Sequence, residues 1–199
     1  GLLGARKFFW RWEVPGMSET ASRSESGNPL VYLEHHNYYA DTKIRRILRD
    51  VKTFAMVGAS TAWRRPSFYA MKYLQHKGFR IVPINPGRAG GEVLGETIYG
   101  SLAEAPHKFD MVDIFRTSEE AYDITKDVIA NKDDKGIKYL WMQLTVRNDP
   151  AAELAEAAGL EVVMDRCPKI EFGRLSGELS WLGVNSRIIT AKTLRSPKS

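Results

Sequence analysis

The chain of 199 residues contains a single cysteine, Cys167. That excludes an internal disulfide framework and any zinc or iron–sulfur site built from several thiolates. No uninterrupted apolar run approaches the roughly 18 residues that a membrane helix needs, so no membrane partner is expected. A G-x-x-x-x-G-K-[ST] loop is missing, which sets aside a P-loop NTPase. The G-x-G-x-x-G dinucleotide fingerprint is missing too, and internal repeats are not evident. What remains is ordinary for a globular protein: 43% hydrophobic and 27% charged residues.

The net charge of +5 suggests a polyanionic partner until it is placed along the chain. Residues 187–199 hold Arg187, Lys192, Arg195 and Lys198 with no acid, whereas residues 31–186 carry 21 basic and 21 acidic groups. The surplus therefore lies mostly in the C-terminal tail. Nucleic-acid binding through the tails is kept as an alternative that predicts steep salt dependence.

The first 30 residues differ from the rest, being basic and aromatic up to Gly16 and then polar. Met17 would make a natural start. Residues 1–16 read as a remnant of processing or cloning, or as part of a mitochondrial presequence, against which Glu13 and two tryptophans count. The expected organisation is a flexible segment over 1–38, a domain over 39–175 and a basic extension over 176–199, in a cytoplasmic protein unless the presequence is genuine.

From Asp41 the pattern is regular. Ile44, Ile47, Leu48 and Val51 fall on one face of a short helix, with Asp41 expected as its cap. Apolar runs at Thr53–Val57, Phe79–Ile84, Met111–Phe115, Lys138–Met142 and Leu160–Met164 read as buried strands. Val93–Tyr99 reads as a weaker one and Ser101–Ala105 as a helical turn. Between the strong strands lie helices from Pro66, from the capping-box spacing Thr117–Glu120, and from Asp149-Pro150. Residues 165–199 show no clear period. The alternation predicts an α/β, Rossmann-like, doubly wound and mainly parallel sheet, in the order 3-2-1-4-5-6 with Val93–Tyr99 as edge strand 3.

Such a sheet binds ligands beyond the C-terminal ends of its strands, at the switch point between strands 1 and 4. The loops there contain Gly58 to Ser67, Asn85 to Arg88, Arg116 to Ser118, Gln143, and Asp165 to Pro168. Four arginines (Arg64, Arg65, Arg88, Arg116) are therefore expected near the start of the helix at Pro66. Guanidinium forks and free helix amides there suit a phosphate. Asn85 replaces the acid that would hold a ribose, which disfavours NAD. NADP stays open through Arg88, so an NADP-dependent oxidoreductase is an alternative, although the motifs supply no proton donor for it beside the site.

The runs Met56-Val-Gly-Ala-Ser60, Arg65-Pro-Ser67, Met71-Lys-Tyr-Leu74, Val82-Pro-Ile-Asn-Pro86, Met111-Val-Asp-Ile-Phe-Arg116, Leu140-Trp-Met-Gln-Leu144 and Val163-Met-Asp-Arg-Cys-Pro168 closely resemble the small bacterial CoA-binding-domain proteins of the YccU-like family. Those are related to the CoA-binding domain of the succinyl-CoA synthetase alpha subunit. The resemblance spans about residues 40–175. It implies coenzyme A binding on a Rossmann-like fold, and the expected function is a binding module for a small-molecule ligand, coenzyme A or acyl-CoA, rather than an enzyme. By motif match, Gly58, Ala59, Ser60, Arg65 and Ser67 would hold the diphosphate. Asn85 and Pro86 would border the adenosine, Phe115, Arg116 and Ser118 would flank the other side, and the pantetheine arm would run toward Trp141 and Gln143. A ligase would need a second domain with a phosphorylated histidine, for which the chain has no room. His35, His36, His76 and His107 do not supply that site.

Other single residues favour bland roles. Cys167 reads as a small buried residue before Pro168, with Arg166 as the neighbour that would activate it if it were reactive. Asp113 is expected to satisfy local hydrogen bonds. No metal site is expected: His35 and His36 are adjacent on an irregular segment, where side chains rarely converge.

Overall fold

The computed structural model describes residues 31–177. The expected flexible segment up to residue 30, and the basic extension beyond residue 177, lie outside the described residues.

The apolar runs form a five-stranded parallel sheet from β1 (Thr53–Val57), β2 (Arg80–Ile84), β5 (Met111–Ile114), β6 (Tyr139–Met142) and β7 (Glu161–Val163). The order is β2-β1-β5-β6-β7. Nearly every strand residue is buried, as strands covered on both faces require. Ala55, Val57, Val112, Ile114, Leu140 and Met142 face α3 (Ser118–Lys135) and α4 (Asp149–Ala157). Phe54, Met56, Ile81, Met111 and Trp141 belong to the second core, under α1 (Asp41–Asp50), α2 (Pro66–His76) and α5 (Pro168–Leu175). This is the doubly wound, Rossmann-like arrangement that the alternation predicts.

Strand 3 of the expected order does not join the sheet. Leu94 and Gly95, at φ 49° and 82°, turn the chain back on itself between β3 (Glu92–Val93) and β4 (Glu96–Thr97), a two-stranded antiparallel hairpin. Among the described residues, one isolated bridge, Ile84 to Tyr99, ties this stretch to the main sheet. Pro83 gives the reason. Arg80 donates toward the β1 side, so Pro83 faces the opposite edge, where its carbonyl accepts from Tyr99 but it has no N–H to give. Proline fits an edge strand, and a full ladder outside it would lack a donor.

Helix boundaries follow local chemistry. The Thr117 hydroxyl accepts from the Glu120 amide and the Glu120 carboxylate accepts from the Thr117 amide, a complete capping box, while Gly136 ends α3 at φ 74°. Asn148 caps α4 through the Ala151 amide. Asp41 is the first residue of α1 rather than its cap; that position belongs to Ala40, and Asp41 pairs with Arg174 at 2.8 Å. Ser101–Ala105 stays a turn. The stretch after residue 165 is not without structure, since Pro168 opens the short helix α5, packed against α1 and α2.

The body begins earlier than residue 39. Glu34–His36 forms a 3-10 turn held by Arg147, whose guanidinium bonds the Leu33 carbonyl, the Asn37 side chain and Asp149. The Leu33 amide donates to Asp149 at 2.8 Å. His36 is buried beneath this turn, and burial pushes its pKa down to about 4 against the pull of Glu156.

Candidate functional site

The expected rim is built where β2, β1 and β5 end side by side. β1 runs into Gly58, whose amide donates to the Ile84 carbonyl of β2, while the Phe115 amide donates to the Val57 carbonyl. Gly58 adopts φ 90°, and a Cβ placed there would stand 2.5 Å from the Phe115 carbonyl oxygen. Only glycine permits both the left-handed backbone and this contact with the neighbouring strand end. The Asn85 side chain links the third partner: its amide donates to the Ala59 carbonyl at 2.7 Å and its oxygen accepts from Gly87 at 3.0 Å. Gly58, Ala59, Asn85, Pro86 and Phe115 are thus brought together. Asn85 has taken over a job for which a ribose-binding acid would be unsuited, because an ionised carboxylate cannot donate to a carbonyl.

From Gly58 the loop turns into α2. The Ser60 amide donates to the Ser67 hydroxyl at 3.2 Å, and the Ala62 amide donates to the Ser60 hydroxyl at 3.1 Å. Arg65 stands at the N-cap of α2 with no side-chain cap, which leaves the positive end of an 11-residue helix beside an exposed guanidinium. Arg64, also exposed, lies over the Trp63 ring at 5.1 Å. Arg88 is exposed on the 3-10 turn Pro86–Arg88. Among the described residues, neither Arg65 nor Arg88 forms an ion pair.

Arg116 differs from the other three. Its guanidinium bonds the Glu120 carboxylate through Nε and Nη2. Partial burial would raise the Glu120 carboxyl, but the hydrogen bonds from Arg116 and Thr117 outweigh it and hold the carboxyl below its ordinary value. Half of the capping box therefore also neutralises a rim arginine. The Ser118 hydroxyl is engaged as well, accepting from the Arg147 amide at 3.1 Å and facing the Thr145 carbonyl at 3.4 Å.

Trp141 and Gln143 are drawn into the core rather than presented on the rim. Trp141 is fully buried, with its indole N–H donating to the Arg166 carbonyl at 2.7 Å. Gln143 is buried and donates to both oxygens of Asp113, at 3.2 and 3.3 Å. Asp113 is completely buried, and that burial pushes its carboxyl up to about 8 despite the Gln143 amide. Cys167 occupies the N-cap position of α5 without a side-chain cap, half-buried, and burial raises its pKa. Arg166, the neighbour that would have activated it, instead donates to the Asp165 carbonyl and lies over the Tyr39 ring.

Sequence reasoning passed over Trp63, which is 60% exposed on the rim loop. A large aromatic in an otherwise polar loop was the available signal. It also passed over a groove of about 460 Å³ lined by Thr42, Arg45, Arg46, Arg49 and Asp50 of α1. That groove belongs to the other end of the sheet: Arg46 pairs with Glu161 at the start of β7, and Asp50 accepts from Tyr139 at the start of β6.

Comparison with known proteins supports the same assignment of fold and class. The family model described as "CoA binding domain" matches residues 52–173. The uncharacterised protein YneT of Bacillus subtilis is 30% identical over 128 residues, covering 64% of this chain and 90% of that protein. A hypothetical protein from Pyrococcus horikoshii is 36% identical with a TM-score of 0.64, covering 70% of this chain and 94% of that one. A Thermus thermophilus protein is 32% identical with a TM-score of 0.64, covering 69% of this chain and 99% of that one.

Proposed function

The chain belongs to the CoA binding domain family, and from that premise we propose that it binds coenzyme A or an acyl-CoA at the rim formed by the ends of β2, β1 and β5, as a binding module rather than a catalyst. The observation that carries this reading is the loop from Gly58 to the uncapped start of α2. Its backbone is fixed by Ser60, Ser67 and Asn85, and it ends on an exposed Arg65. A diphosphate finds there the positive end of a helix dipole together with a guanidinium fork. Arg88, on the adjacent turn, offers a second cation for the 3′-phosphate that distinguishes CoA from dephospho-CoA.

Binding without catalysis is supported by the state of the chain's one cysteine. Burial holds Cys167 toward its thiol form, and the thiolate is the reactive species. Among the described residues, no helix is long and apolar enough to cross a membrane. A ligand reached from water is consistent with that.

Isothermal titration calorimetry tests the proposal. One CoA should bind per chain, with dephospho-CoA weaker by roughly 10- to 150-fold, since a charge-assisted pair contributes about 1.5–3 kcal/mol. Arg65→Ala should weaken both ligands by a similar factor, and Arg88→Ala should weaken CoA but not dephospho-CoA. Equal affinity for the two ligands in the wild type would remove the 3′-phosphate assignment. Heat from NADPH but none from CoA would favour the oxidoreductase alternative.

A further inference from the structure

Away from the rim, His35, His36 and Glu156 meet between the Glu34–His36 turn and α4. His35 Nε2 lies 3.1 and 3.2 Å from the two Glu156 oxygens, and His36 Nε2 lies 3.2 Å from Oε1. One ligand atom from each residue falls within 4.8 Å of the other two. Two donors held at about 2.0–2.1 Å around a tetrahedral ion stand roughly 3.4 Å apart, close to these separations. The adjacent histidines converge because the 3-10 turn tilts their rings 40° apart with centroids at 4.2 Å.

The second observation is His36 itself. Its side chain is wholly buried, and Nε2, although 3.2 Å from Glu156 Oε1, is not aligned for a hydrogen bond to it or to any other group among the described residues. Buried polar atoms are nearly always satisfied, so this one calls for an explanation. The other ring nitrogen is already held: Nδ1 lies 2.7 Å from the Tyr39 hydroxyl oxygen, which also accepts from the Met164 amide. In the Nδ1–H tautomer, which metal binding would select, His36 presents the Nε2 lone pair to the cluster, which is how a ligating histidine is oriented. The nearby cations are occupied elsewhere: Arg147 on Asp149, and Lys43 over the Tyr39 ring at 5.3 Å.

We propose that His35, His36 and Glu156 form a zinc-type divalent-cation site that clips residues 34–39 onto α4. Two imidazoles and a carboxylate suit Zn²⁺ and leave its fourth position to water. Through Tyr39 the clip reaches Met164, at the C-terminal end of β7.

The test uses the full chain, stripped with a chelator, and Zn²⁺ in competition with a chromophoric chelator. One ion per chain is expected. His35→Ala, at an exposed position, and the isosteric Glu156→Gln should each weaken binding roughly 100-fold. His76→Ala should not. Zn²⁺ should also raise the melting temperature of the wild type by about 4 °C or more, but not that of Glu156→Gln. Absence of stoichiometric binding, or binding unchanged in both His35→Ala and Glu156→Gln, would overturn the site. Neither result bears on CoA, which binds at the rim.

Discussion

Replacing Gly58 by alanine is expected to lower stability by about 2–5 kcal/mol, a loss of roughly 5–15 °C in melting temperature for a domain of this size. Two costs combine. A side chain at φ 90° is strained by about 1–2 kcal/mol. The new Cβ also meets the Phe115 carbonyl oxygen at 2.5 Å and Arg116 Cδ at 2.8 Å. The first of these is backbone at the end of β5, so it yields only by shifting the strand, at about 1–3 kcal/mol. Gly78 supplies the control. It has the same φ of 90° with nothing within 4 Å of an added Cβ, so Gly78→Ala bears the backbone cost alone. Thermal unfolding of the two variants separates strain from contact. Equal losses would mean that the approach of β1 to β5 at the rim does not matter. Because the shift falls on Phe115 and Arg116, Gly58→Ala should also lose CoA affinity while Gly78→Ala keeps it.

Asp113→Asn is expected to do the opposite and stabilise the protein at alkaline pH. The Asp113 carboxyl sits wholly inside the sheet with the Gln143 amide as its polar neighbour, and burial raises its pKa to about 8. Unfolded, it would titrate near 4. Between those values the folded state holds a proton that the unfolded chain releases, so stability falls as pH rises through the window and levels off above about 8. The slope approaches about 1.4 kcal/mol per pH unit at most. Asparagine keeps the shape and accepts from Gln143 without titrating. Urea unfolding should therefore show wild type and variant similar near pH 4, with the variant ahead at pH 8 by several kcal/mol, up to about 5. Parallel pH profiles would show that Asp113 ionises freely in the folded protein.

The parts of the fold that could be read in advance are those set by local sequence. The apolar runs became strands, the spacing of Ile44, Ile47 and Leu48 became the buried face of α1 with Val51 buried at its C-cap, and Thr117–Glu120 became a capping box. Strand 3 was misread because Val93–Tyr99 has the composition of a strand. Its fate is decided by Leu94 in a left-handed turn, which leucine rarely adopts, and by the donor missing at Pro83. Helix α5 carried a signal in Pro168 at its first turn, but Gly173 within it masked the period.

At the rim, Gly58 and Asn85 were legible because topology alone places them at a switch point. Their hydrogen bonds to each other's loops were not. Trp141 and Gln143 share the same strand end, yet depth in the sheet separates them from the surface, and a one-dimensional pattern does not carry depth. The His35–Glu156 contact joins residues 121 positions apart, and only the folding of the early turn onto α4 brings them together.

Hydrogen–deuterium exchange of the full chain with and without CoA tests the central claim most directly, since it reports both binding and place. Amide protection on adding CoA is predicted in residues 58–67, 85–88 and 115–118, with α1 unchanged. Protection confined to the Arg45–Arg49 groove of α1, or none at saturating CoA, would contradict a CoA site at the rim.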